Sequence, residues 1–473
     1  MNKFMKSENC ISDRKVLRHQ VLALAIPIIC EKMLISLVEY VDTAMVGSLG
    51  PNSTAAVACT APVMWLFHAF IMAIGVGATV SVAQSIGARN FDRARQICGQ
   101  AFIASIFVGL GVGAVLFLLS GKIPVFVGVE PEIYGLASSY IAILAFGMPL
   151  QCISVVFYSV LRGAGDTKTP MRFNIFTNLL NVLGNLLLIF PVRTVTLGTL
   201  SFTMWGADMG VAGAALSTTL SRAVSCCVLL FVMTRRKDIP LQLKGLKPEK
   251  NILQEILRIG LPAALDRLAI NGGLLVYARL VAGLGTITLA AHQLCLTAES
   301  ICFMPAIGFE TAATTLAGQS VGAKQYAEGR RRVAMTVELC VYCVTFTAII
   351  LFFGCEFILG LMTPSPEVIA EGCKALRTIA AFEIAYGIQA VLSGGLRGVG
   401  ATKEPFYIGL ASMWLLRIPL ALFLLNQMNG GIISVWFAMG LDLLLRTVLM
   451  WYRFHRGSWE KKLREKERNT AYD

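Results

Sequence analysis

The sequence predicts an all-α polytopic membrane protein, with twelve transmembrane helices in two six-helix lobes related as parallel repeats. Three observations predict it. Of 473 residues, 56% are hydrophobic and only 15% charged, where soluble domains carry about a quarter. Apolar runs of about 20 residues keep returning, and that length crosses a bilayer as a helix. The chain also repeats itself at an offset of 235 residues.

The spans are read in order at about 21–46, 54–80, 97–120, 133–158, 170–192, 208–233, 254–282, 288–316, 333–361, 369–395, 405–427 and 430–452. Polar or Gly/Pro-rich breaks separate them. The first 20 residues are polar and basic, with no small-residue cleavage site behind a short apolar core. The first span is therefore expected to act as its own insertion signal.

The net charge of +13 is not spread evenly. Lys and Arg fall on alternate loops: Arg89, Arg93 and Arg95; Arg162, Lys168 and Arg172; the stretch RRKDIPLQLKGLKPEK; Lys324 and Arg330 to Arg332; Arg397 and Lys403. Basic short loops stay on the cytoplasmic side. With both tails basic as well, both termini are expected in the cytoplasm and the body in the cell (inner) membrane. A nucleic-acid partner is not expected, and RFHRGSWEKKLREKER reads as a solvated or headgroup-facing end. The expected organisation is a cytoplasmic tail over 1–20, an N-lobe over 21–234, a cytoplasmic linker over 235–250, a C-lobe over 251–452 and a basic tail over 453–473.

Thirteen cysteines are scattered, mostly inside spans. The one C-x-x-C, Cys340 to Cys343, lies within a span and has no His nearby. A zinc site wants four ligands. Cysteine as a small apolar residue is the better reading, and no metal site is expected.

The repeat is specific. Leu161-Arg-Gly-Ala-Gly-Asp-Thr-Lys-Thr-Pro170 returns as Leu396-Arg-Gly-Val-Gly-Ala-Thr-Lys-Glu-Pro405, and Gln84-Ser-Ile-Gly-Ala88 as Gln319-Ser-Val-Gly-Ala323. Pro27 matches Pro262, and Leu49-Gly50 matches Leu284-Gly285. The register breaks only near the fifth and sixth spans, where the first half carries the extra stretch VRTVTLGTLSFTMWGADMG. Six spans per half return the chain to the same side, which makes the repeat parallel. Two such bundles leave a cleft, and rocking them opens it to either side in turn. That arrangement points to a secondary transporter. The LRGxGxTKxP element lacks the Gly-Lys-Ser/Thr ending and preceding strand of a phosphate loop. It reads as architecture: glycines for a tight turn, Thr169 or Glu404 capping the next helix and Pro170 or Pro405 at its start, with Arg162 and Lys168 holding the loop in the cytoplasm.

A symmetric scaffold needs an asymmetric site, so the differences between halves matter most. Asn174, Asn178, Asn181 and Asn185 are spaced 4, 3 and 4 along the fifth span, on one helical face. Their matches at the common offset are Gly409, Met413, Leu416 and Leu420. Asp42 matches Tyr277 and Glu39 matches Leu274, so neither carboxylate has a counterpart. Asn181 and Asn185 fall roughly 16–23 Å from the inner surface at ~1.5 Å per residue. Ser217 and Thr218 of the sixth span fall near mid-membrane, and Asp42 in the outer part of the first span. An Asp at a span centre costs about 2.5–3.5 kcal/mol on insertion scales. Taking a proton or binding a small hard cation among oxygen ligands relieves that cost, and either event changes local charge and can bias two arrangements of a bundle. The expected coupling-cation site is Asp42, Asn181, Asn185 and Thr218, with Glu39 sharing the proton or facing water. Bland readings stand beside it: span asparagines are common interhelical glue, and Asp42 far enough out would be hydrated. Glu31-Lys32 recurs as Asp266-Arg267, which favours a structural pair over a cleft-facing role.

Glu299, Glu310 and Glu383, with Phe303 and Tyr386 nearby, make an acidic, aromatic cleft suited to lipophilic cations. Ordinary packing accounts equally for each aromatic residue alone. His68 in the second span is a proton relay or a satisfied interhelical donor.

These stretches resemble the multidrug and toxic compound extrusion (MATE) transporters, from about residue 20 to 455. Asp42-Thr-Ala-Met-Val-Gly47 followed by Leu49-Gly50, the QSIGA and QSVGA pair and the doubled LRGxGxTKxP carry the resemblance. It implies two lobes in a V shape and export of organic cations or other toxic compounds against a proton or sodium gradient, with no other cofactor. The family's first-span aspartate falls on Asp42, its fifth-span asparagine on Asn181 and its sixth-span threonine on Thr218. A second fifth-span acid found in one branch falls on Asn185, which removes a charge. Another branch's carboxy-lobe acids fall on Asn271 and Tyr386, so that site is discounted.

The expected function is ion-coupled efflux by alternating access, with small organic molecules and H+ or Na+ as partners and a monomer in the bilayer. A flippase for a lipid-linked or amphipathic metabolite is the alternative; it would favour a basic cleft. A membrane enzyme is not expected: no nucleophile–base pair or ligand cluster has usable spacing, and there are four His in all. A channel would want a symmetric pore, and the halves are unequal.

Overall fold

A computed structural model describes residues 13–197, 200–242, 247–428 and 430–470. The first half comprises α1 (Arg14–Gly47), α2 (Pro51–Ala58), α3 (Ala61–Gly87), α4 (Phe91–Leu119), α5 (Ile123–Val127), α6 (Tyr134–Gly163), α7 (Lys168–Leu188) and α8 (Gly210–Arg235). The second comprises α9 (Lys250–Ala282), α10 (Thr286–Gly322), α11 (Tyr326–Gly360), α12 (Pro366–Ala380), α13 (Glu383–Gly398), α14 (Lys403–Ala411), α15 (Ile418–Met428) and α16 (Gly431–Arg456), with α17 (Ser458–Thr470) following. A π turn, Ser412–Arg417, joins α14 to α15.

Among the described residues, ten helical segments are long and apolar enough to cross a membrane, and eleven if α12 and α13, bent by 53°, make one span. The remaining predicted span is α7. Its 21 residues reach about 32 Å at ~1.5 Å per residue, and its asparagines make it less apolar than its neighbours. Several helices start earlier than the apolar runs do. Thus α1 begins at Arg14 because Leu17 and Val21 are already buried, while Arg14 and Arg18 pair with Glu338.

The extra stretch of the first half forms an antiparallel hairpin, β1 (Pro191–Leu197) with β2 (Leu200–Ala207), in which Thr194 faces Thr203. The basic tail is helical as α17. It is anchored by buried Trp459, whose Nε1 donates to the Phe454 carbonyl at 3.1 Å, and by an Arg330–Glu460 ion pair. In the linker, of which 243–246 lie outside the described residues, Gln100 donates to the Lys247 carbonyl and accepts from the Glu249 N–H.

The helices gather into two compact units. The N unit is Cys30–Val82 with Asn90–Leu261; the C unit is the chain up to Ile29, Ala83–Arg89 and Pro262–Asp473. The boundaries fall inside α1 and α9, close to their internal prolines Pro27 and Pro262. Glycine explains the placement. In the N unit, a Cβ on Gly260 would fall 1.6 Å from the Ala73 carbonyl oxygen. In the C unit, one on Gly308 would fall 2.4 Å from Cγ1 of Ile29. The N-terminal part of α9 thus packs on α3, and α1 near Ile29 packs on α10. The QS[IV]GA repeats meet in the C unit by the same device: a Cβ on Gly87 would lie 2.0 Å from the Gln319 carbonyl oxygen, and one on Gly322 1.9 Å from that of Gln84.

The doubled LRG element is an ion-pair anchor. Arg162 pairs with Glu31 in the N unit. At the same offset, Arg397 pairs with Asp266 at 2.8 Å in the C unit. The recurring acids therefore bond to these arginines, where Lys32 and Arg267 stood beside them in the sequence reading. The cap also differs from expectation: Asp166, and not Thr169, caps α7, accepting from the Thr169 N–H at 3.0 Å and its hydroxyl at 2.7 Å. Arg236 pairs with the same carboxylate at 2.8 Å.

Candidate functional site

Four of the five residues expected to hold a coupling cation come together in the N unit. Asp42 lies one and a half turns before the end of α1. Asn185, one turn from the end of α7, donates its amide to Asp42 Oδ1 at 2.6 Å. Asn181 is the next polar residue on that face. With its nitrogen toward the carboxylate it donates to Asp42 at 2.9 and 3.0 Å, and its oxygen accepts from the Thr218 hydroxyl at 3.1 Å. Turned the other way, its oxygen would face both carboxylate oxygens. An ionised Asp42 selects the first orientation, because amide N–H groups are then its donors.

The supports are local. The Ser217 hydroxyl donates to the Asn181 carbonyl at 2.8 Å. Gly184 lets α7 approach α8 there, since a Cβ would fall 2.4 Å from Ser217 Oγ. Asn181 and Asn185 are buried, Asp42 is half-buried, and Glu39, one turn earlier on α1, is exposed. Glu39 lies within electrostatic reach of Asp42; its side chain is not a ligand in the hydrogen-bonded set. The other two asparagines do different work. Asn174 donates to Glu31 at 2.9 Å and so belongs to the Arg162 anchor. Asn178 Nδ2 is buried without a partner.

Arg222 was missed by the sequence reading. It sits one turn beyond Thr218 on α8, and its charge reaches Asp42, Glu39 and Tyr140. The signal was available: an Arg inside an apolar span is rare and functional by default. The same signal would have found Arg417, and Asp442 with Arg446, which pair at 2.9 Å in α16.

The residues expected to line a substrate cleft are divided. His68 is in the N unit, and the other five are in the C unit. Phe303 and Tyr386 stack at 4.9 Å. Helices α10 and α13 run parallel there, because Thr314 donates to the Gly394 carbonyl at 3.0 Å and a Cβ on Gly398 would meet the Thr314 carbonyl. That register sets Glu299 opposite Glu383. Both are buried, and neither oxygen of Glu383 has a partner. Glu310 differs: it is bound to Arg397 at 2.5 Å, in the anchor with Asp266. Among the described residues, no three His, Cys, Asp or Glu side chains lie close enough to hold a metal ion.

Membrane-spanning helices in two repeated units, with a half-buried carboxylate held by buried amides in one, fit a multi-pass membrane transporter. The MatE family model matches residues 27–187 and 262–423, the two copies starting at the paired prolines. The chain is 32% identical over 449 residues to a probable multidrug resistance protein NorM of Thermotoga maritima, covering 94% of each. It is 25% identical to an uncharacterized transporter, YisQ, of Bacillus subtilis, covering 93% of this chain and 95% of that one. A solved outward-facing multidrug resistance MATE family transporter of the MOP superfamily superposes with a TM-score of 0.86 at 21% identity, covering 96% of this chain and 100% of that one. A MATE in the bent conformation gives 0.85 at 21% identity, covering 95% and 98%. The chain belongs to the MatE family. Members of that family are transporters, which removes the membrane-enzyme reading.

Proposed function

We propose that this protein exports small organic, chiefly cationic amphipathic compounds by alternating access, driven by entry of one monovalent cation, H+ or Na+, through the Asp42 site. The observation that carries the reading is the hydrogen-bonded set of Asp42, Asn185, Asn181 and Thr218. Its charge supports a monovalent ion. Asp42 is the one carboxylate in that set, and a single H+ or Na+ neutralises it. A proton on Asp42 removes its negative charge and turns one of the oxygens facing Asn181 and Asn185 into a donor; a sodium ion takes the carboxylate, an amide oxygen and the Thr218 hydroxyl as hard ligands. Either occupant changes what holds α1 to α7 and biases two arrangements of the bundle. Relatives named as multidrug resistance proteins support the substrate class.

The test is dye efflux in inverted membrane vesicles under separate proton and sodium gradients. One gradient drives transport in the wild type, and Asp42→Asn abolishes it. Undiminished gradient-driven efflux by a well-expressed Asp42→Asn protein would remove Asp42 from coupling.

A further inference from the structure

The C unit carries its own version of the Asp42 site, with the charge reversed. Before the π turn, the halves keep their offset: Asn174 bonds Glu31, and Gly409 lies against Asp266, where a Cβ would come within 2.7 Å of Oδ1. A π turn holds one residue more than an α turn. By the end of Ser412–Arg417 the match has therefore moved on by one residue, and Arg417 takes the place of Asn181 where plain counting gave Leu416. Tyr277 stands where Asp42 stands. The contact between them is kept: the Arg417 guanidinium carbon lies 4.4 Å from the Tyr277 ring centroid.

Two more donors adjoin this pair. The His292 ring on α10 lies 6.3 Å from that of Tyr277 and 5.5 Å from that of Trp436 on α16. All are buried, with Arg417 6% exposed, His292 2%, and Tyr277 and Trp436 0%. Arg417 Nε and Nη2, His292 Nδ1 and Trp436 Nε1 all lack a hydrogen-bond partner. The Tyr277 hydroxyl donates to the Val435 carbonyl and its oxygen faces Arg417, whose Nε and Nη2 stay without a partner. Leaving a buried polar group unpaired is costly, and a charged one more so. The nearby acids do not satisfy these donors. Asp442 is taken by Arg446 and the Ser412 hydroxyl. Glu299, two turns from His292 on α10, lies within electrostatic reach of Arg417, yet two guanidinium nitrogens stay unpaired.

We propose that this cluster binds a small monovalent anion, with Arg417 as its charge partner and the His292 and Trp436 rings as further donors. A weakly hydrated guanidinium with free N–H groups suits a halide or a carboxylate. A free halide and the carboxylate of a transported zwitterion share that chemistry. Glu299 opposes the anion's charge and holds its affinity down.

The test uses the purified full chain in lipid nanodiscs. Radiolabelled chloride is bound at equilibrium and competed with acetate, and tryptophan fluorescence is followed during bromide titration. The wild type binds saturably. Arg417→Gln weakens binding by about tenfold or more, the equivalent of one charge-assisted hydrogen bond. Arg417→Lys keeps part of it, and Trp436→Phe weakens chloride binding while removing the fluorescence response. Tighter binding of acetate than of chloride assigns the place to a carboxylate, and the reverse order to a halide. Absence of saturable binding of either ion to the wild type overturns the proposal. So does unchanged chloride binding in a folded Arg417→Gln protein or, should that variant not fold, in Trp436→Phe.

Discussion

Asn185 donates its side-chain amide to Asp42 at 2.6 Å, from one turn before the end of α7. The donor holds the aspartate in place without adding charge. Asn185→Leu removes it and leaves Asn181 as the remaining amide donor. A hydrogen bond to a charged group contributes about 1.5–3 kcal/mol. The half-saturating concentration of the coupling ion for efflux should change by about tenfold or more, with the amount of protein in the membrane unchanged. An unaltered ion dependence would remove Asn185 from the site.

The Arg162 anchor predicts a non-additive pair. Glu31 is 1% exposed and bonded to Arg162 and Asn174. Arg162→Leu strands a buried charge and should destabilise the protein by about 3–5 kcal/mol, whereas Glu31→Leu with Arg162→Leu together should recover most of the loss. Thermal unfolding in detergent of the two singles and the double checks this. Additive losses would contradict it.

Asp166 predicts a pH dependence. Burial pushes its carboxyl up, but the Thr169 hydrogen bonds and the Arg236 guanidinium outweigh that and hold it below the usual carboxylate range. A group depressed in the folded state stabilises above its unfolded value and loses that stability as pH falls through the folded one. Asp166→Ala should therefore cost about 0.5–2 kcal/mol at neutral pH, as the loss of a helix cap does. The difference from wild type should shrink below about pH 4, near the unfolded carboxyl value. A gap that widened on acidification would reverse the sign of the argument.

The QS[IV]GA repeats predict a steric contrast. Gly87→Ala and Gly322→Ala place a methyl within about 2 Å of a carbonyl oxygen on the crossing helix and should prevent stable folding, seen as loss of monodisperse protein in detergent. Gly111→Ala, with nothing within 4 Å of its new Cβ, should behave as wild type.

Much of this was legible in the sequence. The apolar runs dictate the spans because a bilayer leaves backbone groups no partner but each other. The asparagine face of α7 and the unmatched Asp42 pointed to the hydrogen-bonded set of Asp42, Asn181 and Asn185 because burying polar groups in a membrane needs a reason. Other features were hidden. Arg162 and Glu31 recur at the same offset as Arg397 and Asp266, but recurrence does not say which residues touch. The π turn has no local signature in SMWLLR, so the match of Asn181 to Leu416 slipped by one and hid Arg417. The packing of α9 on α3 and of α1 on α10 depends on Gly260 and Gly308 at close approaches of distant segments, which periodicity cannot show.

Ion binding to the purified protein tests the central claim most directly. Proton release on raising pH and equilibrium binding of radiolabelled sodium are measured for wild type and Asp42→Asn in nanodiscs. The account predicts one H+ or one Na+ bound per wild-type chain and its loss in Asp42→Asn, with substrate exchange under no gradient retained. Equal ion binding by the two proteins would contradict it.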